Sequence, residues 1–376
     1  MSFSARDTFY MQQALNLATR GLGWTAPNPA VGAVVVRDGR VVGKGFHRQA
    51  GTAHAEAIAL TRAGEKAAGA TLYVTLEPCA HQGRTPPCTD AIILHRVSRV
   101  VVAMRDPNTL VDGKGIDRLT AAGITVETGL LEARARRLNE VYVTNMTAGR
   151  PFIALKAAAS LDGKIATAGG ESKWITGEAA RTHARRLRGR YDAVVVGART
   201  AEKDDPDLTP RVPEYRDKKV FRVICDSRAR LPLDGTLVKT AASQPVIVAV
   251  TRAALPAKVQ KLAKAGCTVL LVNDDRGLID LEDLVEKLQG LGITSLLVEG
   301  GGELLASFVE KGLYDKLYLF YALRLFGGDT APSFLRGHGV NRIEDAARFA
   351  RRSVRFLGDD LLLELYPAGS RFAEGS

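Results

Sequence analysis

Four cysteines are few for a chain of 376 residues. That scarcity excludes the dense disulfide framework of a small secreted scaffold. No uninterrupted apolar run approaches the ~20 residues of a membrane-spanning helix. No segment repeats, and none falls to low complexity. The opening MSFSARDTFYMQQALNLATRG lacks the apolar core of a secretory leader and reads as an amphipathic helix. A soluble protein of a reducing, cytoplasmic compartment is expected. Acids are outnumbered too, 41 against 52 basic residues, which leaves a net charge of +11. Such a surplus raises nucleic acid as a partner. The basic residues of EARARRLNE, RTHARRLRGR and FARRSVRF, however, are scattered beside acids on helical patterns and read first as solvated faces. The sharper reading is a field that draws in phosphorylated small molecules or RNA.

The length exceeds one ordinary core, so two domains are expected. The first part alternates strands (AVGAVVV, RVVGKGFH, ATLYVTL, RVVVAM, ITVETG) with helices (HAEAIALTRAG, CTDAIILHRV, GIDRLTAAG), the pattern of an α/β sandwich. Its first two strands flank the turn RDGR as a hairpin, so the sheet should be mixed. Gly149-Arg150-Pro151 punctuates the chain, which predicts a first domain over 1–147, a second over 148–367 and a frayed tail over 368–376. In the second domain, short apolar runs such as DAVVVG suit strands buried on both faces.

The stretch EPCAHQGRTPPC, Glu77 to Cys88, holds two of the cysteines, and HAE (His54 to Glu56) precedes it. A disulfide between Cys79 and Cys88 is sterically possible but runs against a reducing compartment. A closed structural zinc site needs four protein ligands. Cys225 and Cys267 stand alone in strand-like runs and read as small buried hydrophobes. A catalytic zinc site needs three ligands and an open fourth position, and His54, Cys79 and Cys88 supply three. His54 and Cys88 each open a helix, and Cys79 follows a strand. Residues two apart on a helix diverge, so His54 and Glu56 can share a pocket only at the helix end. Glu56 would then shuttle a proton from water to a leaving amine. HxE followed by P-C and a second Cys is the signature of zinc-dependent nucleobase deaminases.

Eight residues separate the two cysteines here, where two are usual. Together with APNPAVGAVVV and GRTPPC, this resembles one branch, the bifunctional riboflavin-biosynthesis deaminase/reductase family, over nearly the full length. The resemblance implies a cytidine-deaminase-like three-layer α/β/α domain with a mixed sheet, followed by a dihydrofolate-reductase-like α/β domain. It implies one Zn²⁺ per chain, NADPH, and a homo-oligomer with no stable nucleic-acid partner and no membrane. The implied chemistry is hydrolytic deamination of 2,5-diamino-6-(5-phosphoribosylamino)pyrimidin-4-one, then reduction of the ribosyl group to ribityl. Asn28 resembles the residue that binds the pyrimidine. His47, His81 and Arg84 resemble contacts to the ribose phosphate. The loop DPNTLVDGKG matches except that Thr109 replaces a usual proline.

In the second domain, KAAASLDGKIATAGGESKWITG read alone is a strand, a turn and a polar loop. By resemblance, Lys156 and Ala158 line the site, Ser172 touches substrate and Trp174 lies against the cofactor. Thr200 and Asp204 would meet the nicotinamide cofactor, and Leu208 and Arg211 the substrate. Arg188 and Arg211 suit a sugar phosphate, since guanidinium groups bind phosphate bidentately. SLLVEGGGELLASF is a buried strand, then glycines, then a helix. That design lets the backbone approach a pyrophosphate, though it is not the dinucleotide fingerprint. In the family Glu299 faces substrate, while Gly300, Gly301, Gly302, Glu303, Leu304, Leu305, Ala306 and Ser307 wrap the cofactor. Ser227, with Arg228, could read a 2′-phosphate and favour NADPH. Two readings from other classes are weighed against this: a nucleic-acid deaminase with a basic C-terminal binding module, and a structural zinc protein without turnover.

Overall fold

The computed structural model describes residues 3–82, 86–109 and 111–373. The chain divides into two compact units, Met1–Gly149 and Arg150–Ala373.

The first unit runs α1 (Ala5–Ala18), β1 (Gly32–Arg37), β2 (Arg40–Phe46), α2 (Ala55–Ala63), β3 (Thr71–Val74), α3 (Cys88–Leu94), β4 (Arg99–Val102), α4 (Lys114–Ala121), β5 (Thr125–Thr128), α5 (Glu132–Leu138) and α6 (Glu140–Ala148). Ser4 and Asp7 form a reciprocal capping box that starts α1. The five strands order as β2-β1-β3-β4-β5. β1 is antiparallel to β2 and β3, while β3, β4 and β5 run parallel. The sheet is therefore mixed, as the RDGR turn predicts.

Helices cover both faces, and small residues decide how closely. Gly32 on β1 faces α1: a Cβ there would lie 2.0 Å from the Ala14 carbonyl oxygen. The next residue, Ala33, pairs with Gly45 on β2 and points to the opposite face. There a Cβ on Gly45 would meet the Ala55 oxygen at 2.2 Å, and one on Gly43 the Ala59 oxygen at 2.1 Å. α2 thus lies directly on the backbone of β2, which fixes the height of its first turn.

The second unit runs β6 (Phe152–Ser160), α7 (Glu178–Arg190), β7 (Ala193–Gly197), α8 (Ala198–Asp204), β8 (Phe221–Cys225), α9 (Thr236–Lys239), β9 (Val246–Val250), α10 (Pro256–Lys264), β10 (Thr268–Leu271), the small hairpin β11 (Asp274–Asp275) and β12 (Leu278–Ile279), α11 (Leu281–Gly290), β13 (Ser295–Gly300), α12 (Gly302–Glu310), β14 (Lys316–Ala322), β15 (Phe349–Leu357) and β16 (Asp360–Pro367). Nine strands order as β10-β9-β8-β7-β13-β6-β14-β16-β15. The first seven in that order are parallel, and the β15–β16 hairpin closes one edge antiparallel. Along β7, Ala193 and Val195 enter a core with α11 and α12, while Val194 and Val196 enter another with Leu237 and Leu262. Both faces are buried, as the continuous apolar run requires.

Candidate functional site

Three elements of the first unit end at one place. His54 is the N-cap of α2, with extended backbone (φ −74°, ψ 162°). Cys79 lies past the end of β3, and Cys88 is the first residue of α3. His54 Nδ1 is 3.2 Å from Cys88 Sγ and 3.6 Å from Cys79 Sγ. The three ligand atoms all lie within 4.8 Å of one another, and no other such group occurs among the described residues. A tetrahedral zinc with Zn–S about 2.3 Å and Zn–N about 2.0 Å sets its ligands about 3.5–3.8 Å apart. The donor set and spacing fit that ion. Among the described residues no fourth protein ligand joins the cluster, which is the donor set of an open site rather than a closed structural one.

The Cys88 thiol hydrogen-bonds to Cys79 and, with His54, pulls the Cys79 thiol down to about 4; Cys88 is pushed up in return, and burial adds to this. The Cys88 main-chain N–H also donates to Cys79 Sγ at 3.4 Å. His54 is raised, first by its hydrogen bond with Cys79. Glu56, in the first turn of α2, is only 4% exposed. Burial, then the neighbouring Cys79 charge, raises it to about 7. A carboxyl so placed can take up and give back a proton near neutrality.

His47 is buried, not a surface residue at a strand end. Its Nδ1 lies 3.3 Å from the Ala53 carbonyl, which can only accept, so Nδ1 carries the proton. Its Nε2 meets Asn28 Nδ2 at 3.2 Å, and its ring stands edge-on to His54, centroids 5.2 Å apart. The structure thus brings Asn28, His47, His54, Glu56, Cys79 and Cys88 together. His81 is exposed. Arg84 lies outside the described residues.

In the second unit several of the sequence-predicted residues lie at or just beyond the carboxyl ends of adjacent strands, where ligands of open parallel sheets bind. β13 ends in Glu299 and Gly300, β6 carries Lys156 and Ala158, and β7 runs directly into α8 with Thr200 and Asp204. Ser227 and Arg228 follow β8. Thr200 Oγ1 accepts the Gly301 N–H at 2.9 Å, which holds the glycine turn against α8. Gly302, Glu303 and Leu304 form the first turn of α12, whose N–H groups point out of the helix. Further along, the Leu305 N–H is spent on the Gly301 carbonyl, Leu305 and Ala306 bury their side chains, and the Ser307 hydroxyl donates to Glu303.

Glu299 is gripped by two cations. Arg188 donates Nε and Nη2 to its oxygens at 2.6 and 2.9 Å, and Lys156 Nζ stands 3.6 Å away. Burial alone would raise this carboxyl, but the Arg188 and Lys156 charges hold it at about 2. Arg188, read from sequence as a phosphate ligand, therefore spends two donors on Glu299. Arg211 is exposed beside Asp207, at 3.4 Å. Leu208 packs its side chain into the core. Ser172 is half-buried. Trp174 is 64% exposed, with the Arg181 guanidinium 4.7 Å over its ring, and is not a core tryptophan. Cys267 is buried and Cys225 half-buried, both free thiols. The motif reading assigns nothing to Glu77, whose partners are main-chain groups far along the chain.

Known proteins agree with both halves. Residues 4–104 match the cytidine and deoxycytidylate deaminase zinc-binding region, and residues 151–363 match the RibD C-terminal domain. The riboflavin biosynthesis protein RibD of Aquifex aeolicus (strain VF5) is 45% identical over 358 residues, 95% of this chain and 97% of that one. RibD of Escherichia coli (strain K12) is 40% identical over 374 residues, 96% of this chain and 100% of that one. The solved structure of Acinetobacter baumannii RibD has a TM-score of 0.85 at 40% identity, covering 96% of this chain and 99% of that chain. A diaminohydroxyphosphoribosylaminopyrimidine deaminase/5-amino-6-(5-phosphoribosylamino)uracil reductase from Thermotoga maritima has a TM-score of 0.84 at 37% identity, with the same coverage. The second half matches a reductase, not the basic nucleic-acid module that the charge had raised. The chain belongs to the RibD family, the bifunctional enzymes of riboflavin biosynthesis that join a zinc-dependent deaminase to an NADPH-dependent reductase.

Proposed function

We propose that the first unit hydrolyses an exocyclic amine from 2,5-diamino-6-(5-phosphoribosylamino)pyrimidin-4-one, and that the second reduces the ribosyl group of the resulting aminouracil to ribityl. One observation carries the reading: His54, Cys79 and Cys88 converge on one point beside the buried carboxyl of Glu56. Those three residues hold the zinc, and Glu56 is the proton shuttle. Bound there, zinc lowers the pKa of a water ligand toward ~7 and so makes a nucleophile available at neutral pH. Glu56 accepts a proton from the attacking water and delivers it to the departing nitrogen, so that water and substrate become carbonyl product and ammonia. Asn28 reads the pyrimidine edge with its amide. His47, through its hydrogen bond to Asn28, holds that amide in place. His81 and Arg84 are assigned to the ribose phosphate.

In the second unit NADPH supplies the hydride for the opened sugar carbonyl or imine. The glycine turn Gly300–Gly302 lets the backbone approach its phosphates, the first turn of α12 offers them N–H groups, Trp174, Ala158, Thr200 and Asp204 border it, and Ser227 reads the 2′-phosphate. Lys156, Arg188 and Glu299 form a fixed polar wall against which Ser172, Leu208 and Arg211 place the substrate. Self-association in the cytoplasm is part of the same proposal, and sedimentation of the purified chain tests the former. The decisive experiment is incubation with the diaminopyrimidinone ribotide, with and without NADPH, and mass analysis of products. Amine loss alone is expected without NADPH, and the ribityl product with it. No ammonia under either condition would sink the proposal.

A further inference from the structure

Glu77 stands inside the cysteine motif, two residues before Cys79, and is only 3% exposed. A buried carboxylate is costly unless hydrogen bonds replace its water. Here main-chain N–H groups do so. Oε2 accepts from Asp106 at 3.2 Å and Gly113 at 3.1 Å; Oε1 accepts from Gly115 at 3.0 Å and Ile116 at 3.4 Å. These four donors lie 29 to 39 residues downstream. Three of them belong to the N-cap and first turn of α4, whose N–H groups have no partner inside the helix and whose dipole favours a negative charge.

The neighbouring backbone is equally constrained. A Cβ on Gly115 would lie 1.9 Å from the Pro78 carbonyl oxygen, so α4 touches the main chain between Glu77 and Cys79. Arg118 donates to the Ala80 carbonyl at 3.3 Å, one residue past Cys79, and also pairs with Asp90 on α3. On its far side Cys79 is tied to α3, since Thr89 N–H donates to its carbonyl at 3.2 Å. β3 has ended at Val74, so this segment takes its position from these ties and from the Glu77 N–H bond to the Met104 carbonyl, 3.1 Å.

We propose that Glu77 is a positioning residue for deamination: its carboxylate gathers the loop from Asp106 and the start of α4 around the Pro78–Cys79 backbone, and so sets where the Cys79 sulfur stands. The inference rests on the zinc-deaminase reading of this site. Only an acceptor on both oxygens serves. An amide in place of the carboxylate would turn an N–H₂ group toward two N–H donors.

The test compares wild type, Glu77→Gln and Gly115→Ala. Gly115→Ala keeps the carboxylate but drives α4 off the Pro78 carbonyl. Four quantities are read: ammonia release, the rate at which a chelator strips zinc, hydrogen exchange at the amides of Asp106, Gly113, Gly115 and Ile116, and NADPH-dependent reduction of supplied 5-amino-6-(5-phosphoribosylamino)uracil. Both variants are expected to lose about 10–100-fold in ammonia release and to surrender zinc at least about 10-fold faster, the scale for removing support behind a metal ligand. In Glu77→Gln the four amides lose protection, and reduction stays within about twofold of wild type in both. A purely structural role would lower ammonia release only by the unfolded fraction and leave the zinc-stripping rate of folded protein alone. Folded Glu77→Gln with wild-type zinc retention and ammonia release overturns the proposal, and so does folded Gly115→Ala with both unchanged. Wild type without zinc-dependent ammonia release would overturn the deaminase reading itself, and this proposal with it.

Discussion

Glu56 gains its value from where the chain puts it, in the first turn of α2 and two residues beyond His54, shielded from water and beside Cys79 and Cys88. Glu56→Gln keeps size and polarity but can no longer carry the proton. Ammonia release is expected to fall by about 10²–10⁴, with zinc content by metal analysis and reduction of the supplied aminouracil unchanged. Loss of reduction with ammonia release intact would break the assignment. Glu299 offers a different test. Its carboxyl sits at about 2 in the fold against an ordinary 4.5. Between those values the folded state binds fewer protons than the unfolded one. The stability this group contributes is therefore present in full above pH 4.5 and is lost as pH falls toward 2. Glu299→Gln leaves Arg188 and Lys156 uncompensated in a buried site, a loss of about 3–5 kcal/mol near neutrality. Denaturant unfolding should show that gap between wild type and variant narrowing as pH drops below 4.5. A gap independent of pH would mean that the ion pair is not what holds the site.

At the scale of elements, the helix that carries His54 and Glu56 is set by the absence of side chains on β2. A methyl at Gly45 must displace the Ala55 carbonyl, 2.2 Å from its ideal position, and Ala55 lies between the two functional residues. Gly45→Ala is expected to cost about 1–3 kcal/mol in the first unit and to depress ammonia release more than reduction, as assays of the two activities on one preparation would show. The alternation of glycine along VVGKGFH was readable as sequence, but the helix it receives was not, because nothing in the strand names its partner. The same distinction runs through both sites. His54, Cys79 and Cys88 were legible since ligand chemistry restricts which side chains can serve and the spacing places each at an element's end. That strands of the second unit are buried on both faces was legible from runs such as DAVVVG, which leave no alternation. Arg188 and Glu299 stand 111 residues apart, and only the folded sheet joins them. Glu77 was the least legible, because its partners are backbone N–H groups that any sequence carries.

At the scale of the molecule, the chain joins two compact units, one matching a deaminase zinc-binding region and one the RibD C-terminal domain. In the second unit the buried residues of two large apolar clusters run from Ile153 to Leu319, with Phe349, Leu363 and Leu365 packed against the first of them. No helix among the described residues is long and apolar enough to cross a membrane. Zinc adds to the first unit alone. A ligand that binds only the folded form stabilises it by about 4 kcal/mol when its concentration is about 1,000 times its Kd. Stripping zinc with a chelator should therefore lower the unfolding transition of the first unit, end ammonia release, and leave reduction of supplied aminouracil at its original rate. Re-adding zinc should restore the first two. If chelation stopped both activities together, zinc would have to act on the second unit as well, and the assignment of one metal to His54, Cys79 and Cys88 would no longer account for the enzyme. If it stopped neither while metal analysis showed the ion gone, Glu56 would have to activate water unaided, and the zinc mechanism would fall.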